Sequence, residues 1–419
     1  MLVIVGVFIV ASLAIFIAGQ EEASATSHYI PHNRIVIDGN DDFTTANGVS
    51  GGSGTPSDPY VIEGWIIDDS TGNGIEIRNT TAFLIIRDVF LNPFGGTSSS
   101  AGIYLENVMN ILVEEATISE YLHGIHVLLA SEIAIASSAI SFNDGAGGVR
   151  VELSDHVTVV NNKFSVNGAG VFLAWSTNTT ISSNVFNLDG VFLVGSDTSH
   201  YTTHTITRDN VVNGRPLYFY KNCSGLDVDG VQVGQLIVAN CKDVRIANLQ
   251  IAGTDVGLLM AFVDGATITG NTFVSNSPFG IYLTGSPNVR VHHNNFIASD
   301  VFDNHGKDNS WDDGYPSGGN YWSAYAGVDN CSDPEQDVCP DPDGIGDTPF
   351  VIDFDSQLHR DNYPLMEPYV PTAPSPAPDP VLVALILLLA AAVAVLLVLL
   401  LRGRKHIVSK TRDHEPQAE

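Results

Sequence analysis

The chain has 419 residues and a formal net charge of −29, from 47 acidic and 18 basic side chains. A surface this acidic repels a nucleic-acid duplex, so we expect no nucleic-acid partner. The length is sufficient for one large elongated domain with additional anchoring segments.

Residues 1–25 are predicted to be a secretory signal peptide or a signal anchor. Leu2 to Ala18 is apolar, and Ala23-Ser24-Ala25 offers a small-x-small cleavage site. The segment lacks a basic start, so both a cleaved signal and an uncleaved anchor stay open. Residues 26–73 follow as a predicted N-terminal cap, because the first coil of a repeat domain has an open end and an unpaired edge.

A repeat organises residues 74–299. One copy starts at Gly280 and ends at Phe296, and the copy before it starts at Gly257, 23 residues earlier, and ends at Phe273. Each copy contains short strands of alternating apolar and polar residues. This period predicts an all-β fold, a right-handed parallel β-helix of about ten coils.

Two columns of residues support the β-helix. An Asn column is predicted to form a buried hydrogen-bonded ladder at one corner, because buried turns must satisfy their backbone polar groups. Phe residues two places later are predicted to stack in the bore. The columns are Asn162, Asn184, Asn210, Asn271 and Asn294, and Phe164, Phe186, Phe273 and Phe296.

Each coil has a lead position at the start of its first strand, a glycine on most coils and Pro216 on one. The residue two places after each lead position is predicted to point outward, because its neighbours fill the bore. Most of this column is aromatic or aliphatic, and aromatic faces suit the C–H faces of sugars. The predicted ligand-binding residues are Tyr104, His126, Arg150, Phe172, Phe192, Tyr218 and Tyr282. The alternative is that a loop or cap covers the stripe, or that its rings only stabilise the sheet.

Residues 300–367 are predicted to be a C-terminal cap with an Asp-rich loop. Asp341, Asp343 and Asp347 lie at alternate or near-alternate positions around two glycines, and calcium prefers several oxygen ligands from a tight loop. These residues are therefore a candidate calcium site. An exposed acidic turn in an acidic protein is the alternative.

A membrane anchor is predicted at the C-terminus. Residues 368–380 form a Pro-rich stalk, and Val381 to Leu401 is an uninterrupted apolar run that predicts one transmembrane helix. Arg402, Arg404 and Lys405 follow at once, so residues 402–419 are placed in the cytoplasm and the body outside the cell.

The cysteines favour disulfides, because their number is even in a chain predicted to be exported. Cys331 and Cys339 would close a small loop, and Cys223 and Cys241 fall on neighbouring coils. Glycosylation sequons begin at Asn79, Asn178, Asn222 and Asn330.

Five short segments of the chain together resemble NosD-type right-handed parallel β-helix proteins. The resemblance is to exported, archaeal-like members that are anchored in a membrane. The segments are Asn213-Gly214-Arg215-Pro216-Leu217-Tyr218, Ala239-Asn240-Cys241, Gly318-Gly319-Asn320-Tyr321-Trp322-Ser323, Asp343-Gly344-Ile345-Gly346-Asp347 and Asn362-Tyr363-Pro364-Leu365-Met366. The resemblance implies a periplasmic copper-binding role in the maturation of nitrous oxide reductase. Copper needs clustered His, Met or Cys thiolate, which the sequence does not offer, so we do not expect copper.

Two classes of function stay open. The sequence shows no convergent set of titratable groups that we assign as catalytic, which favours a surface binding or structural protein directed toward carbohydrate or another surface protein. The alternative is a carbohydrate-active enzyme (a polysaccharide lyase, hydrolase or epimerase), since such enzymes share this scaffold. A copper-related accessory role is a third and weaker hypothesis.

Overall fold

Alternating apolar and polar residues build short parallel strands that coil into a right-handed solenoid of about eleven turns. A computed structural model describes residues 28–93, 100–145, 147–304, 308–352 and 359–371. Helix within these ranges is limited to 3-10 turns at Asn40–Asp42 and Thr45–Asn47 and the single helical turn α1 at Ser199–Thr202. The predicted all-β fold is confirmed.

The first part of the domain, residues 28–212, is called here the N-terminal solenoid. Its strands are β1 (Ile30–Pro31), β2 (Ile35–Asp38), β3 (Val49–Gly51), β4 (Tyr60–Glu63), β5 (Trp65–Ile67), β6 (Ile75–Thr80), β7 (Leu84–Arg87), β8 (Phe90–Leu91), β9 (Ala101–Glu114), β10 (Thr117–Ser119), β11 (His123–Leu128), β12 (Ser131–Ala136), β13 (Ala139–Ser141), β14 (Val149–Glu152), β15 (Asp155–Val160), β16 (Lys163–Ser165), β17 (Val171–Ala174), β18 (Thr180–Ser182), β19 (Val185–Asn187), β20 (Val191–Val194), β21 (Thr205–Ile206) and β22 (Val211–Val212).

These strands form three walls. Sheet 1 contains β2, β6, β9, β11, β14, β17 and β20, sheet 2 contains β4, β7, β9, β12, β15, β18 and β21, and sheet 3 contains β1, β5, β8, β10, β13, β16, β19 and β22. The long strand β9 turns a corner and belongs to sheets 1 and 2. Residues 30–67, which the sequence analysis assigned to a separate cap, form the first coil instead, because β2 pairs with β6 in the register of Ile35 with Ile75.

The buried columns are as predicted. Asn162 donates from Nδ2 to Asn184 Oδ1 at 3.1 Å, and Asn184 does the same to Asn210 at 3.0 Å. A second ladder joins Asn271 to Asn294, and Asn294 donates in turn to Asn320, a residue that the sequence analysis did not include. The four phenylalanines are buried, with ring centroids 4.9 Å apart for one stacked pair and 5.3 Å for the other.

The solenoid is interrupted after β22. Val212 pairs antiparallel with Arg215, and Asn213 and Gly214 between them have φ of 49° and 79°. Positive φ at both central residues is the geometry of a type I′ hairpin. The sequence already departs from the repeat period between Asn210 and Tyr220, and the structure places the hairpin in that stretch. The expectation that the repeat then resumes in the same solenoid is wrong, because this hairpin reverses the chain.

The remainder, residues 215–369, is called here the C-terminal solenoid. Its strands are β23 (Arg215–Lys221), β24 (Asp227–Asp229), β25 (Gln235–Ala239), β26 (Lys242–Ala247), β27 (Gln250–Ala252), β28 (Val256–Ala261), β29 (Asp264–Thr269), β30 (Thr272–Val274), β31 (Phe279–Thr284), β32 (Val289–His292), β33 (Asn295–Ile297), β34 (Asp300–Asn304), β35 (Tyr321–Trp322), β36 (Phe350–Val351) and β37 (Arg360–Asp361).

Three further walls result. Sheet 4 contains β23, β25, β28, β31 and β34, sheet 5 contains β24, β26, β29 and β32, and sheet 6 contains β27, β30, β33 and β35. The solenoid does not end at Ser299 as predicted. Strand β34 pairs with β31, and Trp322 of β35 lies beside Phe296, so the last coil extends into the segment predicted to be a cap.

The central strands of sheet 4, β25 and β28, are buried on both faces. Leu236 and Leu258 point into the C-terminal bore, whereas Ile237 and Leu259 pack with the core of the N-terminal solenoid. Every residue of β25 and β28 is buried. The outer face of sheet 4 thus covers the open end of the N-terminal bore, and the two solenoids share a hydrophobic junction.

Two buried carboxyl groups lie at this junction. Asp255 Oδ2 accepts hydrogen bonds from the backbone N–H of Gly170 at 3.0 Å and of Gly190 at 2.7 Å. Asp189 accepts from Asn167 through its backbone N–H and its side-chain amide, each at 2.8 Å. Burial raises the pKa of Asp189 to about 7, and burial together with Asp189 raises the pKa of Asp255 well above its usual range.

Both predicted disulfides are present, Cys223–Cys241 and Cys331–Cys339. No helix within the described residues has the length and apolar character needed to cross a membrane. The predicted signal and the predicted transmembrane helix at Val381 to Leu401 lie outside the described residues.

Candidate functional site

The outer face of sheet 1 carries the predicted ligand column on consecutive coils. Strand pairing places Tyr104 beside His126, and His126 beside Arg150. All of the column from Tyr104 onward is partly exposed. In order, its members are Glu76, Tyr104, His126, Arg150, Phe172 and Phe192.

One ion cluster lies at the centre of this face. Arg150 donates from Nε to Glu152 Oε2 at 3.0 Å, and His126 Nε2 lies 3.4 Å from the same oxygen. Burial lowers the pKa of His126, Arg150 lowers it further, and Glu152 only partly opposes the shift. His123 has its ring centroid 5.2 Å from that of His126, and burial lowers its pKa to about 4. Both imidazoles are therefore neutral at neutral pH.

A second ion cluster lies two coils nearer the N-terminus. Arg78 contacts Glu76 and Glu106 at 3.1 Å each, and Arg34 lies 3.6 Å from Glu76. The guanidinium of Arg78 also lies 5.2 Å from the ring centroid of Tyr104. Burial and the neighbouring Glu106 raise the pKa of Tyr104, so its phenol stays protonated at neutral pH.

Aromatic rings continue from the central cluster toward the junction. Arg150 lies over the ring of Phe172, 4.8 Å from its centroid, and Phe172 meets Phe192 edge to face at 5.4 Å. Phe192 in turn lies 5.1 Å from Tyr282 of sheet 4. The polar and aromatic parts of the face are thus continuous.

Two predicted ligand residues do not belong to this face. Tyr282 does lie in the outward column of sheet 4, but it is only 8% exposed, because the junction covers it. The assignment of Tyr218 is wrong by one residue, since Phe219 pairs with Ile237 and Tyr218 packs against the C-terminal core. The alternative of a covered stripe therefore holds for sheet 4, whereas sheet 1 is open.

Each coil also has a second outward position. The sequence places Glu152 on the same face as Arg150, two residues away, but Arg78 and Glu106 were not assigned to this face. Arg78, Glu106 and Glu152 stand four residues after their lead glycines, on the same face as the column. The signal was available, since side chains two apart on a strand share a face. With these residues included, titratable groups do converge on one face.

The Asp-rich loop uses its carboxylates on backbone amides. Asp347 accepts from the N–H of Asn330 and of Cys331, each at 3.1 Å. Asp343 accepts from Ile345, and Asp341 accepts from the hydroxyl of Ser332. Within the described residues, no group of three acidic, His or Cys side chains is placed to hold a metal ion. Calcium binding by Asp341, Asp343 and Asp347 stays a prediction.

The donor set does not fit copper either. All four cysteines are in disulfides. His292 and His293 share one contact, Nδ1 to Nδ1 at 3.0 Å, and His293 is also bound to the carbonyl of Ser317. His204 is bound to the carbonyl of His200. No metal chemistry is derived from these residues.

A cavity of about 780 Å³ lies at the far end of the C-terminal solenoid. Phe279, Phe302, Trp322 and Phe350 line it, and Asp300 is the acidic side chain in its wall. None of the predicted ligand or metal residues is among the lining residues.

Two family models match successive parts of the chain. Residues 73–233 match a model described as right-handed beta helix region. Residues 228–327 match one described as periplasmic copper-binding protein (NosD). The chain is a NosD-type right-handed β-helix protein. The two matched ranges of this NosD-type protein overlap at residues 228–233, which follow the hairpin in the chain. Each family model therefore covers mainly one of the two solenoids.

Several solved structures are similar to parts of this chain, at low sequence identity and low TM-score. The A-module of the mannuronan C-5 epimerase AlgE6 from Azotobacter vinelandii is 14% identical, with a TM-score of 0.33, and the match covers 62% of this chain and 85% of that one. PfbA, a surface adhesin of Streptococcus pneumoniae, is 11% identical with a TM-score of 0.23, and the match covers 60% of this chain and 81% of that one. An alginate lyase from a Paenibacillus species is 13% identical with a TM-score of 0.22, and the match covers 66% of this chain and 99% of that one. A comparison with curated proteins found no match.

Proposed function

We propose that this NosD-type protein binds carbohydrate at the cell surface through the outer face of sheet 1. The observation that carries the proposal is the column from Tyr104 to Phe192, in which partly exposed aromatic rings lie on both sides of the polar pair His126 and Arg150. Rings stack on the C–H faces of sugars, and fixed Arg, His and Glu side chains hydrogen-bond hydroxyls. Another surface protein is the alternative partner for the same face.

The proposal includes the predicted anchoring. The apolar run from Val381 to Leu401, followed by Arg402, supports a single-pass membrane protein with its body outside the cell and its C-terminus in the cytoplasm. In that position the solenoid faces the extracellular medium, where surface glycans occur.

Paired aromatic substitutions test the proposal. The full-length protein is screened on an array of glycans, and the double variant Tyr104→Ser, Phe172→Ser is compared with wild type. We expect at least about a tenfold loss of affinity, since each stacked ring contributes on the order of 1 kcal/mol. The matched control is Phe142→Ser, an exposed aromatic residue at the corner beyond sheet 3. Undiminished binding by the double variant places the site elsewhere.

A carbohydrate-active enzyme is the second candidate, and the central cluster favours it. His126 is a neutral imidazole able to accept a proton, with Arg150 and Glu152 on the following coil and Tyr104 on the preceding coil. Activity would appear as new reducing ends or unsaturated products from polysaccharides that the protein binds. His126→Ala is then expected to lower turnover more than binding.

A further inference from the structure

We propose that the sheet 1 face selects neutral glycans over glycans that carry carboxylates. The inference rests on the proposed carbohydrate-binding function and names its ligand class. It follows from the way in which the charged groups of this face are already paired.

The arginines of the face have carboxylate partners. Arg150 is bound to Glu152 at 3.0 Å, and Arg78 lies between Glu76 and Glu106 at 3.1 Å from each. A uronate carboxylate that approached Arg150 would have to displace Glu152 and leave that carboxylate beside its own charge. Like charges placed together oppose binding, so the pairing discriminates against acidic sugars.

The histidines of the face do not supply a compensating charge. His123 and His126 have lowered pKa values because they are partly buried, so both are neutral at neutral pH. A neutral imidazole offers one donor and one acceptor, which suits a hydroxyl group rather than an anion.

The surroundings add negative charge. Asp38 stands beside Arg78 in the strand register, with its carboxylate accepting from Asn79, and the whole chain carries a net charge of −29. At physiological ionic strength, electrostatic interactions between charges are effective over about 8 Å. A polyanionic polysaccharide along this face would therefore meet net repulsion. A neutral glycan meets none.

A neutral sugar fits the groups that are present. Each arginine–carboxylate pair presents N–H donors beside carboxylate acceptors, and hydroxyl groups use both. Phe172, which lies 4.8 Å from the Arg150 guanidinium, adds a ring for stacking. The face therefore has the composition of a site for uncharged hexoses.

Charge-matched polysaccharides test this selectivity. The full-length protein, in a detergent without a sugar headgroup, is titrated with a mannan and a polymannuronate, a galactan and a polygalacturonate, and a glucan and a polyglucuronate. We expect at least one neutral member to bind about tenfold or more tightly than its uronate counterpart. Added salt should narrow the difference, because it screens the repulsion of the uronate.

The variant Glu152→Gln sharpens the test. It keeps the size of the side chain but removes the carboxylate from Arg150, so the preference for the neutral polymer should fall by about tenfold. Glu132→Gln, an exposed carboxylate on sheet 2, is the matched control and should leave the preference unchanged.

The outcomes separate the two proposals. Tighter binding of a uronate polymer by wild type, or an unchanged preference in Glu152→Gln, overturns the neutral-glycan inference and leaves carbohydrate binding standing. If none of the six polymers binds, and the glycan array is also blank, carbohydrate binding itself is wrong.

Discussion

Sheet 1 and sheet 4 hold equivalent places in the two solenoids, yet their outer faces have opposite environments. The outer face of sheet 1 is partly open and carries ion pairs and aromatic rings. The outer face of sheet 4 carries Ile237, Leu259 and the small Ala239 and Ala261, all fully buried. An outward column therefore indicates a ligand face only where polar neighbours accompany it; an uninterrupted apolar column indicates a second packing partner.

The largest effect that follows from this comparison is on folding stability. Leu259→Ala should lower the free energy of unfolding by about 2–5 kcal/mol, because it opens a cavity at the junction, where Leu259 is 0% exposed. Denaturant unfolding monitored by far-ultraviolet circular dichroism measures the change.

The matched control lies in the outward column of sheet 1. Val36→Ala removes a side chain that is 41% exposed and should cost no more than about 0.5 kcal/mol. Similar small costs for both variants would show that sheet 4 is not packed against the N-terminal bore.

The junction should also depend on pH. The carboxyl groups of Asp189 and Asp255 have raised pKa values in the folded protein, so folding retains a proton that the unfolded chain releases above about pH 4. Their contribution to stability is complete below that pH. The part due to Asp189 is lost as the pH rises through about 7, and the part due to Asp255 is lost as the pH rises through its own raised pKa. For each proton that the pair retains, we expect its contribution to the free energy of unfolding to fall by roughly 1.4 kcal/mol per pH unit across this window.

Asp255→Asn isolates that dependence. The amide oxygen can still accept from the N–H groups of Gly170 and Gly190, while the charge is removed. The slope of the free energy of unfolding against pH should therefore become smaller by the equivalent of about one bound proton. Asp361, whose pKa burial raises to about 7, is present in both proteins, so its contribution cancels in the difference. Equal slopes in wild type and variant would contradict the assignment.

Most of the fold could be predicted from the sequence, because periodicity records which side chains fill the bore. The Asn and Phe columns gave the right register on separate coils. The junction was missed, although two signals were present. Asn213-Gly214 between short strands is a strong hairpin signal. Strands β25 and β28 have almost uninterrupted apolar sequences, which is typical of parallel strands buried on both faces.

The candidate site was predicted only in part. The outward column from Tyr104 to Phe192 follows from alternation along each strand. The error at Tyr218 arose because the hairpin resets the register, and the alternation within β23 alone does not show which of its faces points outward. The burial of Tyr282 could not be predicted from its own coil. Phe192, which packs against it, belongs to the N-terminal solenoid and lies more than 70 residues earlier in the chain.

The smallest expected effect concerns the loop at the far end of the C-terminal solenoid. Calcium bound by Asp341, Asp343 and Asp347 would stabilise the folded state by RT ln(1 + [L]/Kd), about 1.4 kcal/mol at a tenfold excess over Kd. The gain is modest, because Asp347 and Asp343 already accept backbone N–H groups that hold this loop. Thermal melting of the full-length protein with calcium and with a chelator measures the shift, and magnesium is the control ion. Asp343→Asn should remove the shift if calcium is bound there. An unchanged midpoint in wild type would instead favour an acidic turn held by hydrogen bonds alone.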